Sequence, residues 1–523
     1  MKYWRIKILY SSILAFLLCF YQNVKAGNVI RDVEIESFFQ EIAKPMLIAD
    51  QMQSRGGVFK SQNSTIEKAS PIYRPTFYTN YIPAIPVYKI GQTQSDLASG
   101  IKPLAVYGNQ TDELKLPKID ILFINQPEIN AFATGSDIYI YSGLIEAYDN
   151  SNLFRGVLAH ELSHVLLSHA LRGQIARSQA AKQGVAGGGA MTTLLLAASG
   201  GAAAALIGGT AIATGHSSSS VLSHSREFET EADSKAMLLL SRSNSSVAGI
   251  LDLMTEFKKN IRSDIPDLFR YFTTHPLPDE RFNMIERYYN MEDKSMISVD
   301  LKIEEKFQRV KAKILGLNKK QENKITINSN KSGMPTGLSN RFEFYNSYRD
   351  MFYYFANSEY EKAVNIANGI YSSSDPYINE ALAQSYCSLG NIANANYYFH
   401  ITKSLLNNNK LIEYEHADCL VRFGKEVIDV KSGIDKLYVL FTTDYKYYNI
   451  GDLIKHACDK INNSGVEGLS DLISAMQFYN AGKITEAKLS IEKAIAAKNF
   501  HDSKYYEQIK KYYTMLKNDE QQN

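Results

Sequence analysis

Cysteine is scarce in this 523-residue chain. There are four, of which Cys19 lies in an N-terminal apolar stretch and only Cys387, Cys419 and Cys458 lie beyond it. An odd number confined to the C-terminal third excludes a disulfide framework and leaves room for one pair at most. Charge of one sign is also lacking, with 57 Lys and Arg against 55 Asp and Glu for a formal net charge of +2. That balance provides no basic patch of the kind nucleic-acid binders need, so nucleic acid is excluded as a partner. The apolar fraction, 45%, is ordinary for a chain that builds sizeable cores.

Two long stretches lack acidic residues. Met1 to Ala26 opens with Lys2, Arg5 and Lys7, continues with apolar Ile8 to Phe20 and closes on Val24-Lys25-Ala26. This reads as a cleavable signal peptide and predicts export. Cys19 follows Leu18 and not a small residue, which argues against a lipoprotein. The second stretch, Gln183 to Ser225, contains no Asp, Glu, Lys or Arg, and its core is Met191 to Ala213. Gly200-Gly201 offers a turn in the middle, so two short helices forming a hairpin are expected, either buried or touching the membrane.

Between these lies the chemistry-bearing motif, His160-Glu161-Leu162-Ser163-His164. Residues four apart lie about 40° apart around a helix, so both imidazoles can face one metal ion with Glu161 beside them. Leu153, Val157, Leu167 and Leu171 fall on the same stripe, which predicts a single helix from Leu153 to Leu171 buried along its ligand face. A third ligand is needed, and a further Gly and His are absent where Leu167 and Ala170 stand. Ser225 to Asp233 offers three glutamates as candidates. Glu229, Ala232, Asp233, Ala236, Met237 and Leu240 make one small and apolar face, whereas Glu227, Glu231, Ser234 and Lys235 make a polar one. Glu229 is therefore the expected inward ligand. Asp233 is the residue expected to accept the second N–H of a ligand histidine, and Glu231 is expected to face outward without a role.

Elsewhere the pattern is structural. Asn28 to Met52 is predicted helical, with Pro45 inside it, and residues 53–115 show no sustained period and read as an insertion. Strands are predicted over Ile119 to Ile124, Asn130 to Gly135 and Ile138 to Tyr141. Thr274-His275-Pro276-Leu277-Pro278 reads as a fixed loop, and polar residues 317–340 as a linker. Beyond it, Tyr354 to Ala363 recurs loosely as Tyr386 to Ala395 and Phe478 to Ala487, each with an aromatic before a turn and a closing Ala. The first two copies are 32 residues apart, near the tetratricopeptide period.

Five motifs in order carry a resemblance: Ile30-Arg31-Asp32 with Glu34-Ile35-Glu36, Asn130-Ala131-Phe132-Ala133, the His160 to His164 stretch, Glu229 to Asp233, and Thr274 to Pro278. Together the chain resembles the exported, tetratricopeptide-bearing M48 metalloproteases of bacterial envelopes. The resemblance implies a gluzincin-type core, mainly helical with a small sheet, over 27–316, and an all-α tetratricopeptide-like domain over 341–520. It also implies one zinc ion per chain held by His160, His164 and Glu229, with Glu161 as proton acceptor in peptide hydrolysis. Asn130, Ala131, Phe132 and Ala133 would form an edge strand holding extended substrate, and His275 would be able to reach the open position of the zinc. Its expected location is the periplasm, and its expected partners are unfolded or misfolded proteins, with outer-membrane assembly machinery met through the repeats. Two alternatives stay open at this point, a helical scaffold or chaperone with a structural zinc, and a membrane-embedded protease of the same family.

Overall fold

A computed structural model describes residues 29–54, 116–149, 151–176, 218–260, 275, 279–292, 300–319, 341–443 and 449–522. The signal peptide, most of the insertion, the Met191 to Ala213 hairpin and most of the 317–340 linker lie outside these residues, as do the neighbours of His275 on both sides. The chain divides into two compact units, one of residues 1–43 with 119–523 and the other of residues 44–118.

The chain begins with β1 (Val29–Ile30) and α1 (Val33–Ser54). A helix was expected from Asn28, but the β-branched pair Val29-Ile30 bonds instead to Phe123 and Ile124 of β2 (Asp120–Ile124). The helix starts only after Asp32, whose carboxylate accepts the backbone N–H of Glu34 and of Ile35, each at 3.0 Å. The predicted strands are present as β2, β3 (Ala131–Thr134) and β4 (Asp137–Tyr141), in the spatial order β1-β2-β4-β3. β2 and β4 run parallel and the other pairs antiparallel, which leaves β3 at the edge of the sheet.

After α2 (Ser142–Ala147) comes the motif-bearing helix α3 (Ser151–Leu166). It packs on β3, on α4 (Ser218–Arg242) and on α5 (Ala248–Asn260). At the crossing with α5 the backbones nearly touch. A Cβ on Gly156 would lie 2.6 Å from Ile250 N, and one on Gly249 would lie 1.9 Å from Asn152 O, so neither position accepts a side chain in this arrangement. α6 (Asp279–Met291) packs on α4 and α5.

α7 (Leu301–Leu317) joins this part to the helices beyond. Its Phe307 sits in an aromatic cluster with Phe38 of α1 and Phe154 of α3. Its Ala312 and Leu315 share a core with Tyr345, Tyr348, Met351 and Phe352 of α8 (Phe342–Ala356). A boundary was expected after residue 316, yet one helix contributes to both cores, because its two faces are both apolar.

The C-terminal helices run as antiparallel neighbours: α8 with α9 (Tyr360–Gly369), α10 (Pro376–Ser388) with α11 (Ile392–Leu405), and α12 (Lys410–Phe423) with α13 (Val427–Thr442). α14 (Ile450–Lys460), α15 (Leu469–Asn480), α16 (Ile484–Ala496) and α17 (Tyr506–Gln522) complete the array. The three loose sequence copies make the same turn. Tyr354, Tyr386 and Phe478 each accept at their carbonyl the N–H five residues on, at 2.9 Å, and the residue before that donor has positive φ: Ser358, Gly390 and Gly482. Ala363, Ala395 and Ala487 are fully buried where the next helix comes in. Cys387 of α10 and Cys419 of α12 form a disulfide, and Cys458 is a buried free thiol.

Candidate metal centre

α3 and α4 bring together every ligand expected from the sequence. His160 Nε2 lies 3.1 Å from His164 Nε2 and 3.3 Å from Glu229 Oε2, and His164 Nε2 lies 3.5 Å from Glu229 Oε1. Ligands about 2.05 Å from a tetrahedral zinc are roughly 3.3 Å apart, so the two imidazoles and the Glu229 carboxylate fit three corners of such a site. The fourth corner is also furnished. His275 Nδ1 lies 3.3 Å from His160 Nε2 and 3.0 Å from Glu229 Oε2, and the four donors all fall within 4.8 Å of one another. His160, Glu229 and His275 are buried, so the site is enclosed.

The faces of α4 are as read from its periodicity: Glu229, Ala232, Asp233, Ala236 and Leu240 are buried. Asp233 is completely buried and accepts from His160 Nδ1 at 2.9 Å, which leaves Nε2 of that ring for the metal. Glu161, also completely buried, places Oε1 3.5 Å from His275 Nε2, against the same cluster.

Two groups had not been anticipated. Arg281 of α6, 3% exposed, donates to Asp233 from Nε at 2.6 Å and from Nη2 at 2.9 Å, and its Nη1 lies 3.0 Å from Glu229 Oε2. One guanidinium thereby fixes both carboxylates of α4. A single Arg after a proline-rich loop carries no sequence signal of burial, so only the packing of α6 reveals it. The second group is His169, whose Nδ1 lies 2.9 Å from His164 Nδ1 and whose Nε2 lies 3.0 Å from Glu231 Oε2. Glu231 was expected to face solvent freely. Its side chain is instead 19% exposed and bound to His169 and Arg172.

His169 is brought to His164 by a break in the helix. A single helix to Leu171 was expected, but α3 stops at Leu166, Ser168 adopts φ +54°, and a new helical stretch covers 169–176. In an unbroken helix the fifth residue after His164 would lie about 140° away around the axis. The left-handed residue turns the chain so that His169 faces His164, and Leu171 is left 58% exposed.

The electrostatics of the cluster follow from these contacts. Burial pushes Glu229 toward the neutral form, but His275, Arg281, His164 and His160 outweigh it and hold its carboxyl well below the ordinary range. Asp233 is likewise lowered against burial by Arg281 and His160. For His160, burial is opposed by Asp233 and Glu229, which hold the imidazole at about 10. His164 goes the other way, well below its usual value, chiefly through burial.

Residues 92–289, which contain all four convergent donors, match the family model described as Peptidase family M48. This segment is similar to M48 peptidases. The chain is also similar to proteins named beta-barrel assembly-enhancing protease from Escherichia coli (strain K12) and Shigella flexneri. Each is 29% identical over 224 residues, 42% of this chain and 43% of the relative. The protein of that name from Yersinia pestis is 29% identical over 206 residues, 39% of this chain and 40% of its own. The chain thus spans less than half the length of the curated relatives it matches. Within the matched segment, β3 is the edge strand beside α3, and Asn130 of the expected substrate strand accepts the N–H of Tyr141 at 3.1 Å, with Ala131, Phe132 and Ala133 paired on β4.

Proposed function

We propose that the protein is an exported zinc endopeptidase that hydrolyses unfolded or misfolded envelope proteins in the periplasm. The observation that carries this reading is the convergence of His160, His164 and Glu229 with a completely buried Glu161 beside them. Bound there, zinc supplies a Lewis acid for the scissile carbonyl and lowers the pKa of a water molecule to about 7.

The chain's own residues do the rest. Glu161 takes the proton of the attacking water and returns it to the leaving amine. Asp233 and Arg281 keep His160 and Glu229 oriented toward the metal. The open edge of β3, Asn130 to Ala133, holds substrate as an added strand, which reads backbone and not side-chain sequence and suits a protease of misfolded chains. The helical array over 341–520 serves as tetratricopeptide-like repeats that dock clients or outer-membrane assembly machinery. The names of the relatives support that assignment of setting. Among the described residues no helix is long and apolar enough to cross a membrane.

A second reading has an observation in its favour. His275 stands at the fourth corner, as in a closed structural zinc site, and a scaffold or chaperone would need nothing more. Glu161 distinguishes the two, since a structural site has no use for a buried carboxylate next to its ligands. The test is zinc analysis with a casein cleavage assay on the mature chain and its Glu161→Gln variant. Zinc retained with cleavage reduced at least about a hundredfold supports the protease. Zinc without cleavage in either protein supports the scaffold.

A further inference from the structure

We propose that His169, with Glu231 behind it, is the positioning residue that holds His164 in its metal-binding tautomer; this rests on the reading of His160, His164 and Glu229 as ligands. The two histidines of α3 are held differently. His160 Nδ1 meets a carboxylate directly, that of Asp233. His164 Nδ1 meets another imidazole, His169 Nδ1 at 2.9 Å, and the carboxylate comes one ring later, with Glu231 Oε2 3.0 Å from His169 Nε2.

The protons on this chain can be placed in only one way if His164 Nε2 is to offer a lone pair to a metal. Its proton must then sit on Nδ1 and be donated to His169 Nδ1, which has to be bare. The proton of His169 is therefore on Nε2, and it is donated to Glu231, which as a carboxylate only accepts. A neutral imidazole gives His164 its acceptor without adding charge to a cluster that already contains Glu161, Glu229 and Asp233. The negative charge stays one ring farther out, where Arg172 meets it from Nη1 at 2.5 Å and Nη2 at 3.2 Å.

The local fold is built to present this ring. Ser168 takes a left-handed conformation that a residue with a Cβ rarely adopts, and it is this residue that turns His169 back onto His164. His169, 5% exposed, stacks on Phe228 of α4 at 4.5 Å and 13°, one residue before ligand Glu229, and Arg172 covers the same ring at 4.7 Å. The aromatic stack sets the plane of the imidazole, so its two nitrogens point along the line from His164 to Glu231.

The experiment measures zinc affinity of the purified mature chain by competition with a chromophoric chelator, together with unfolding of the metal-free proteins. His169→Ala is expected to weaken zinc binding by about 10- to 100-fold. His169→Asn, whose Oδ1 can replace the Nδ1 acceptor, is expected to recover most of that loss. Glu231→Ala placed on top of His169→Ala is expected to cost nothing further, because the carboxylate acts through the ring. Affinity within threefold of wild type in both His169 variants overturns the proposal. So does an Asn variant no better than Ala whose metal-free unfolding midpoint falls in step, since that pattern belongs to packing alone. A wild-type chain that binds no zinc overturns the ligand reading itself, and this proposal with it.

Discussion

Lys313→Met tests how the helix that carries it is tied to the start of α1 and to the helical array. Lys313 lies on α7, 2% exposed, with Nζ 2.7 Å from Asp32 Oδ2, 3.3 Å from Glu34 Oε2 and 3.9 Å from Glu380 Oε2. The two nearer carboxylates sit at the start of α1 and the third on α10, so one ammonium meets acids from the N-terminal helix and from the helical array. Arg309, one turn earlier, pairs with Glu34 at 2.6 Å and with Asp375, and Tyr348 donates to Glu34 at 2.7 Å. Methionine fills the space of the lysine stem but removes the ammonium from Asp32 and Glu380, while Glu34 keeps Arg309. Removing one partner of a buried ion pair costs about 3–5 kcal/mol. Glu380 is already pushed well above the ordinary carboxylate range, chiefly by burial, so it is the acid least in need of the ammonium and the lower figure applies. For a compact unit of more than 400 residues, at about 1 °C per kcal/mol, the unfolding midpoint should fall by roughly 3 °C. Thermal unfolding followed by circular dichroism measures this, and combining Lys313→Met with Glu34→Gln should lose less than the two single losses together. A fall below about 2 °C would refute the reasoning, because it would mean that the desolvation of Lys313 cancels its attraction to the acids.

Three further outcomes are expected. His275→Ala should keep zinc and increase cleavage, since it frees the fourth corner; unchanged or lower cleavage in the casein assay would leave His275 as a brace only. Glu415 is held up at about 8, chiefly by burial, so its contribution to stability is full below the ordinary carboxylate value and disappears as the pH rises through 8. Glu415→Gln should therefore flatten the fall of the unfolding midpoint between pH 5 and 8, and an unaltered profile would assign that fall to other groups. Asp233→Ala removes the acceptor of His160 Nδ1 and should weaken zinc binding about 10- to 100-fold in chelator competition, with unchanged affinity counting against its orienting role.

The sequence by itself determined whatever depends on short-range periodicity. The spacing of His160 and His164 places both rings on one face of a helix wherever that helix sits, and the alternation of small and charged residues on α4 selects Glu229 and Asp233 over Glu231 as the inward pair. The strands β2 to β4 and the recurring turns after Tyr354, Tyr386 and Phe478 were legible for the same reason, since alternation and a Gly or Ser after an aromatic act locally. Tertiary structure alone decided how distant segments meet. Nothing local marks Ser168 as left-handed, so the contact of His169 with His164 and the partnered state of Glu231 could not be read from a helical wheel. Arg281 and His275 reach the centre from α6 and the segment before it, across more than a hundred residues from α3, and their burial depends on how α6 packs. The pairing of Cys387 with Cys419, and the sharing of α7 between two cores, likewise follow from which helix faces find each other. Apolar periodicity tells which face of a helix is covered but does not name the element that covers it.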